Sequence, residues 1–366
     1  MLEYLHIDLF TALHVVLLGF VGGVLSGFIG IGGAFFMTPG LMNIGVPGIT
    51  AVGSALTQRF GKALMGYRSH RDLGHVDRKL GLYMLLAALI GIRAAVWVNT
   101  HFYKLSQSKG AEAAAGDLYI SVVYIAVLAL VSLGMIRDLV HQSHTSGPST
   151  RLAEFVGQYK IPPVVYFPTS DIRLSLWLVL AVGLFTGFLA GAIGAGGFVG
   201  VPAMIYVFGV PTVVAAGTQL FLATFMAASG AAAYAFGGFV DLRLAILMLV
   251  GSLGGVFLGS FGTKVLKERV MRQVAGLIIL ICVVSRLIEM PVYLARLDYF
   301  HLSAEMILVL RWTSRGVLFS GGVAGMVYVL AAVWRAFRKR KTVQSVLQAR
   351  HRSDIRASEI KKALNE

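Results

Sequence analysis

Three observations predict an all-α polytopic membrane protein built from two homologous repeats plus one extra C-terminal transmembrane helix. The first is composition. The chain is 57% hydrophobic and 13% charged, with a mean hydropathy of +0.77, whereas soluble domains carry roughly 25% charged residues. The second is the recurrence of apolar runs near the ~20 residues needed to cross a bilayer. They lie near 10–29, 48–66, 80–98, 118–136, 174–195, 212–236, 243–263, 272–289 and 312–334. They are continuous rather than alternating, which excludes a β-barrel. The third is an internal duplication. Residues 23–33 read GVLSGFIGIGG and residues 187–197 read GFLAGAIGAGG, with their glycines in register at an offset of 164. Gly45-Val46-Pro47 recurs as Gly209-Val210-Pro211, and Gly74-His75-Val76-Asp77 as Gly238-Phe239-Val240-Asp241, at the same offset; Pro39 and Pro202 match with the spacing shortened by one.

The organisation follows from these marks: repeat 1 over 8–138, a connecting insert over 139–173, repeat 2 over 174–290, the additional helix over 303–335, and a basic tail over 336–366. The opening MLEYLHIDLF lacks a basic n-region and a small-residue cleavage site, so the first span is read as a retained helix. The insert contains HQSHTSGPST and IPPVVYFPTS, a Ser/Thr/Pro content expected of a loop, and His141 and His144 are expected to be solvated there. Trp312 and Trp334 bracket the last span as interfacial aromatics. Cys282 lies inside an apolar run as a packed thiol.

The formal net charge is +15. It gathers in 59–79, 264–272 and the tail, the positive-inside pattern of cytoplasmic segments. This distribution excludes a nucleic-acid role and fits a tail resting beside anionic lipid. Lys/Arg-rich 59–79 is expected inside and its counterpart near 237–243 outside, which favours inverted repeats. Four full spans per repeat would give parallel halves. Inversion needs an odd number, which 30–45 and 194–209 supply if they cross or re-enter.

The paired glycine segments, each followed by a proline, a small-residue helix and a Gly-x-Val-Asp turn, resemble the TauE/SafE family of sulfite exporters over roughly residues 10–290. The resemblance implies a bacterial inner-membrane, multi-pass transporter of small sulfur-containing anions such as sulfite or organosulfonates; export by alternating access is expected of it, and the positive-inside pattern puts the tail in the cytoplasm. The chain departs from the compact family pattern in its insert, its last span, its tail, and its GIGGAF and GAGGFV motifs, which lack a continuous triple glycine.

An oxyanion entering lipid must exchange its hydration shell for hydrogen-bond donors. Glycine lets backbone approach the anion, and broken helices meeting at midplane form a cradle of N–H groups. The substrate-binding residues expected on this ground are Gly30, Gly32 and Gly33 in one half and Gly194, Gly196 and Gly197 in the other. Ser54, Thr57, Gln58, Thr218 and Gln219 assist from the following helices, and Arg93 acts as an intramembrane cation. Each has a plainer reading. Gly23, Gly27, Gly187 and Gly191 fit close helix packing; Ser54 and Thr218 can bond back to their own helix; Gln58 and Gln219 can join helices. Arg93, about 7–8 Å of helix from Val98, can snorkel, as can Arg59 and Lys62, for which a cytoplasmic vestibule that attracts anions is the other reading. Asp77 and Asp241 read as helix N-caps.

No His-Glu-x-x-His, Gly-x-Ser-x-Gly or P-loop pattern is present, so no enzyme is expected, and no cofactor or metal. The expected partners are a small anion and membrane lipid; a homo-oligomer stays open. Two rival readings remain at this point: an anion channel, and a docking or assembly protein acting through the basic tail.

Overall fold

The computed structural model describes residues 7–29, 33–108, 113–141, 161–263 and 268–363. The order of elements is α1 (Leu9–Ile29), α2 (Ala34–Asn43), α3 (Gly48–Asp72), α4 (Arg78–Ser108), α5 (Ala114–His141), the strands β1 (Val164–Phe167) and β2 (Ile172–Ser175), α6 (Leu176–Ile193), α7 (Gly197–Pro202), α8 (Thr212–Phe236), α9 (Leu242–Thr263), α10 (Glu268–Arg296) and α11 (Ala304–Ala363). Among the described residues, eight helices are long and apolar enough to cross a membrane, so the chain is a multi-pass membrane protein. The expected span 48–66 is helical in α3 but lies outside those eight, because Arg59 and Lys62 interrupt its apolar sequence.

Two short helices fold back on their predecessors. Gly33 sits against the Gly22 carbonyl and Gly40 against Leu18, so α2 returns along α1. Gly196 packs on Ala190 and Gly200 on Thr186, so α7 returns along α6. All ten residues of α2 are buried, as an all-round apolar helix requires. Pro39 lies inside α2 without ending it; the chain turns earlier, at the glycines. Pro202 is followed by a π-helical turn, Ala203–Val207. A proline donates no backbone hydrogen bond, and the ladder adjusts by widening.

The two parts of the chain are interleaved. Gly19, Gly23 and Gly27 of α1 meet the backbone of Met248, Ser252 and Val256 of α9 in that order, so α1 and α9 run parallel. Gly183, Gly187 and Gly191 of α6 meet Met84, Ala88 and Ile92 of α4 in the same way. Every one of these pairs maps onto another at the offset of 164. In lipid there is no hydrophobic drive to bring helices together, and small residues gain the close approach that dispersion needs. At the centre α3 and α8 run antiparallel: Gly53 lies beside Tyr234, Gly230 beside Leu56 and Gly66 beside Leu220. Outside this interleaved body, α5 packs along α10, and α10 against α11.

The turns into α4 and α9 are also exchanged. The Asp77 N–H donates to Thr218 Oγ1 at 3.0 Å, and the Asp241 N–H to Ser54 Oγ at 3.1 Å. Both aspartates cap their helices: Asp77 Oδ1 accepts from Leu80 N–H at 3.0 Å, and Asp241 Oδ1 from Arg243 N–H at 2.9 Å. The described end of the insert is an antiparallel hairpin, with Val164 opposite Ser175 and Phe167 opposite Ile172. It docks on the body: Ser170 donates from N–H and Oγ to Asp77 Oδ2 at 3.1 and 2.8 Å, and Phe167 is fully buried against Tyr83.

Candidate functional site

The break after α6 exposes a problem in physical chemistry that the fold answers residue by residue. The last carbonyls of a helix have no intrahelical donor, and lipid supplies none. Gly194 turns the chain with φ +76°, a conformation that favours glycine. The three carbonyls ahead of it and its own then receive side-chain donors from four different helices. Tyr234 Oη on α8 donates to Gly191 O at 2.8 Å, and Asn99 Nδ2 on α4 to Ala192 O at 3.1 Å. Thr38 Oγ1 on α2 donates to Ile193 O at 3.3 Å, and Arg59 Nη1 on α3 to Gly194 O at 2.8 Å. The Arg59 charge also complements the negative end of the helix dipole.

Arg59 is 6% exposed. A guanidinium has five N–H donors, and the bond to Gly194 uses one. One turn further on, Lys62 Nζ donates to Ser26 Oγ near the end of α1 at 3.2 Å. Two cations on one face of α3 therefore reach toward the ends of both broken helices. Along the α6–α7 fold-back the polar groups are incompletely matched among the described residues. Gln219 is 5% exposed, yet neither its Oε1 nor its Nε2 has a protein partner. The Thr186 hydroxyl and Asn99 Oδ1 are likewise buried without one. A Cβ on Gly200 would collide with Gln219 Oε1 and come within 3.0 Å of Thr186, so Gly200 is what admits that amide. Buried polar atoms without partners are rare and costly in folded proteins. Here they lie along the α6–α7 fold-back, whose Gly194 carbonyl also holds the Arg59 guanidinium, an arrangement suited to holding a small polar anion.

The residues expected from the sequence divide into groups. Gly194, Gly196, Gly197 and Gln219 gather around the α6–α7 break. Gly33 begins α2, buried against α1. Gly30 and Gly32 lie outside the described residues. Ser54 and Thr218 are engaged by the opposite aspartate turns, Thr57 bonds back to Gly53 O at 2.9 Å, and Gln58 Nε2 donates to Ser252 Oγ at 2.6 Å. Arg93 is exposed, on the same outer face of α4 as Leu86, Ile90 and Trp97, and stands apart from the break.

The family model for the sulfite exporter TauE/SafE matches residues 15–286. The chain belongs to the TauE/SafE family. A curated relative, the probable membrane transporter protein YjnA of Bacillus subtilis (strain 168), is 25% identical over 269 residues, which cover 73% of this chain and 96% of the relative. The TauE/SafE match takes in α1 through most of α10 and leaves out α11. Within it, sequence reasoning missed Thr38, Asn99, Thr186, Gly200 and Tyr234, and treated Arg59 and Lys62 as snorkelling cations. The available signal was two cations three residues apart in the interior of a helix, where an ionisable group in a membrane is a functional candidate.

Proposed function

We propose that the protein is a membrane transporter that exports small sulfur-containing anions, such as sulfite or organosulfonates, across the bacterial inner membrane by alternating access. The observation that carries this reading is the α6–α7 fold-back, where Arg59 reaches the Gly194 carbonyl and the Gln219, Thr186 and Asn99 atoms of the same fold-back have no partner among the described residues. The anion would take up the free donors of Arg59 and Gln219, with Lys62 adding charge. Membership of TauE/SafE and the transporter relative support the same class.

The halves are read as inverted repeats. Helices α3 and α8 are equivalent in the duplication and run antiparallel, and equivalent spans can do so only if the axis relating them lies in the membrane plane. The fold-backs of α2 and α7 supply the odd crossing that inversion demands. On this reading repeat 1 covers 8–138, repeat 2 covers 174–290, and the basic tail faces the cytoplasm. An interior-negative potential favours anion exit by about 2.3 kcal/mol per charge per 100 mV, so export needs no nucleotide.

The test is flux into proteoliposomes of the purified chain, comparing sulfite, sulfate, thiosulfate, small sulfonates and chloride, with counterflow. Saturable flux with counterflow of a sulfur anion is expected. Non-saturating flux without counterflow would replace the carrier by a channel. No flux of any of these anions from folded protein would remove the proposal.

A further inference from the structure

A second buried polar cluster lies away from the α6–α7 break, where α5, α10 and α11 meet the turn between α2 and α3. Arg286 is fully buried on α10, and its guanidinium pairs with Glu289 Oε2 and donates to Tyr293 Oη at 3.3 Å. Ser314 on α11 bonds Glu289 Oε2 at 3.2 Å. The cluster grips both ends of the α2–α3 turn. At one end Asn43, the last residue of α2, donates from Nδ2 to Ser285 Oγ at 3.3 Å, and its carbonyl accepts from Arg315 Nε. At the other end Gly48, the first residue of α3, donates its N–H to Asp117 Oδ1 at 2.6 Å. Asp117 is 8% exposed.

The groups that act on the Asp117 carboxylate come from every helix packed there. Glu289, Arg286, Arg296 and Tyr293 face it from α10. Arg311 and Arg315 of α11 extend the same field around Glu289. From α4, Ser106 and Tyr103 close on the first turn of α5, and α3 contributes the Gly48 amide. Arg286 and Glu289 cancel one another, and Asp117 carries a second negative charge beside them. Inside the cluster, Arg286 Nε is buried without a partner among the described residues. The corresponding turn of the second half has no such grip: Pro211, Thr212 and Val213 are exposed there.

We propose that Asp117, supported by the Arg286–Glu289 pair, is a proton-binding site that couples proton movement to anion transport by holding or releasing the α2–α3 turn. The inference rests on the transporter reading and adds the coupling ion to it. A proton taken from water onto the Asp117 carboxylate cancels its negative charge, and the Gly48 N–H then faces a neutral acceptor. Charge-assisted hydrogen bonds are roughly twice as strong as neutral ones, so the turn is held in the ionised state and loosened in the protonated one. Loss of the proton to water restores the hold. Helix α3 carries Arg59 and Lys62, so this turn is the point at which a proton can move the anion site.

The test uses the full chain in proteoliposomes with methanesulfonate and thiosulfate, whose charges stay fixed over the working pH range. A pH gradient should drive accumulation of the anion in the wild type. Asp117→Asn, whose amide oxygen still accepts from Gly48, should keep counterflow and lose gradient-driven accumulation. Accumulation in that variant at the wild-type level overturns the proposal, as does wild-type counterflow indifferent to the gradient. If Asp117→Asn does not fold, Asp117→Glu must shift the pH midpoint of counterflow; an unmoved midpoint overturns it equally. Infrared titration separates this failure from that of the transporter reading, because it needs no transported anion. A carboxyl band that titrates in the wild type and is missing in Asp117→Asn supports the proton site even if no anion moves. Identical spectra overturn it.

Discussion

The two halves of the molecule agree where they pack and differ where they carry charge. Gly23 and Gly187 both press on the backbone of the opposite half, at Ser252 and Ala88. Ser54 and Thr218 exchange the same hydrogen bond with Asp241 and Asp77. Yet the positions equivalent to Arg59 and Lys62 are Ala223 and Met226. Asp77 is sealed by Ser170 of the hairpin, while Asp241 pairs with the half-exposed Arg243. The difference teaches that the residues the halves share build the frame. On the proposed transport reading, the residues found in one half alone carry the chemistry, because a single anion between the halves would need one cation site rather than two.

The sharpest way to break this division is to attack the shared frame. A side chain on Gly187 or Gly23 would overlap main-chain atoms, which cannot rotate away. Overpacking costs about 1–3 kcal/mol when side chains can adjust, and a backbone obstacle exceeds that. Gly187→Leu and Gly23→Leu are therefore both expected to yield little folded protein by thermal unfolding in detergent. Gly134→Leu, where nothing lies within 4 Å of the added Cβ, should unfold like the wild type. Unequal damage at Gly23 and Gly187 would mean that the halves do not share one frame.

The next effect belongs to the unshared charge. Arg59→Gln removes a cation from the α6–α7 break and can keep one bond to Gly194 O. Hydrogen bonds to charged groups contribute about 1.5–3 kcal/mol, which corresponds to a loss of roughly ten- to hundredfold in anion affinity. Half-saturation of transport should rise by that factor while the unfolding temperature moves little. A large stability loss with unchanged half-saturation would make Arg59 a helix cap and nothing more.

Gln58 and Gln219 sharpen the comparison further, because they looked alike in sequence. Gln58 is matched by Ser252, and Gln219 by nothing in the protein. Gln58→Leu should destabilise by about 1 kcal/mol, the net contribution of an ordinary hydrogen bond. Gln219→Leu should leave stability equal or higher and weaken anion binding. Thermal unfolding and half-saturation, measured on both variants, check the contrast; weakened stability in Gln219→Leu would show that its amide has a partner in the folded protein.

How much of this was legible beforehand follows the same line between frame and chemistry. Eight of the nine spans and the packing role of Gly23, Gly27, Gly187 and Gly191 were readable, because apolar runs and small-residue spacing are local properties. The N-cap role of Asp77 and Asp241 was readable for the same reason. The four donors on the α6 carbonyls were not. Thr38, Arg59, Asn99 and Tyr234 are scattered over four helices, and only the interleaving of the halves brings them to one helix end. Thr218 and Ser54 looked like ligands because both halves repeat them; that repetition reflects the exchanged aspartate turns. The hairpin was hidden inside a Ser/Thr/Pro-rich insert whose docking runs through buried Phe167 and Leu174, Ser170 and the Lys79 bond to the Tyr166 carbonyl.

That serine gives the smallest effect and the finest test. Ser170 donates twice to a buried carboxylate oxygen, so Ser170→Ala removes the hydroxyl bond and leaves the backbone bond in place. Leaving a buried acceptor short of a partner costs about 1–3 kcal/mol. The surviving N–H bond should hold the loss for Ser170→Ala near the lower end of that range. On the other side, Arg243→Gln breaks an ion pair whose arginine side chain is 51% exposed. Exposed pairs contribute about 0–1 kcal/mol and less in salt, so the unfolding temperature of Arg243→Gln should stay close to that of the wild type. If the two variants prove equally mild, Asp77 reaches water past the hairpin and the two aspartate turns are equivalent. If Ser170→Ala alone destabilises, the hairpin is part of the folded body, and the asymmetry between the halves extends from the charged site to the end of the helices.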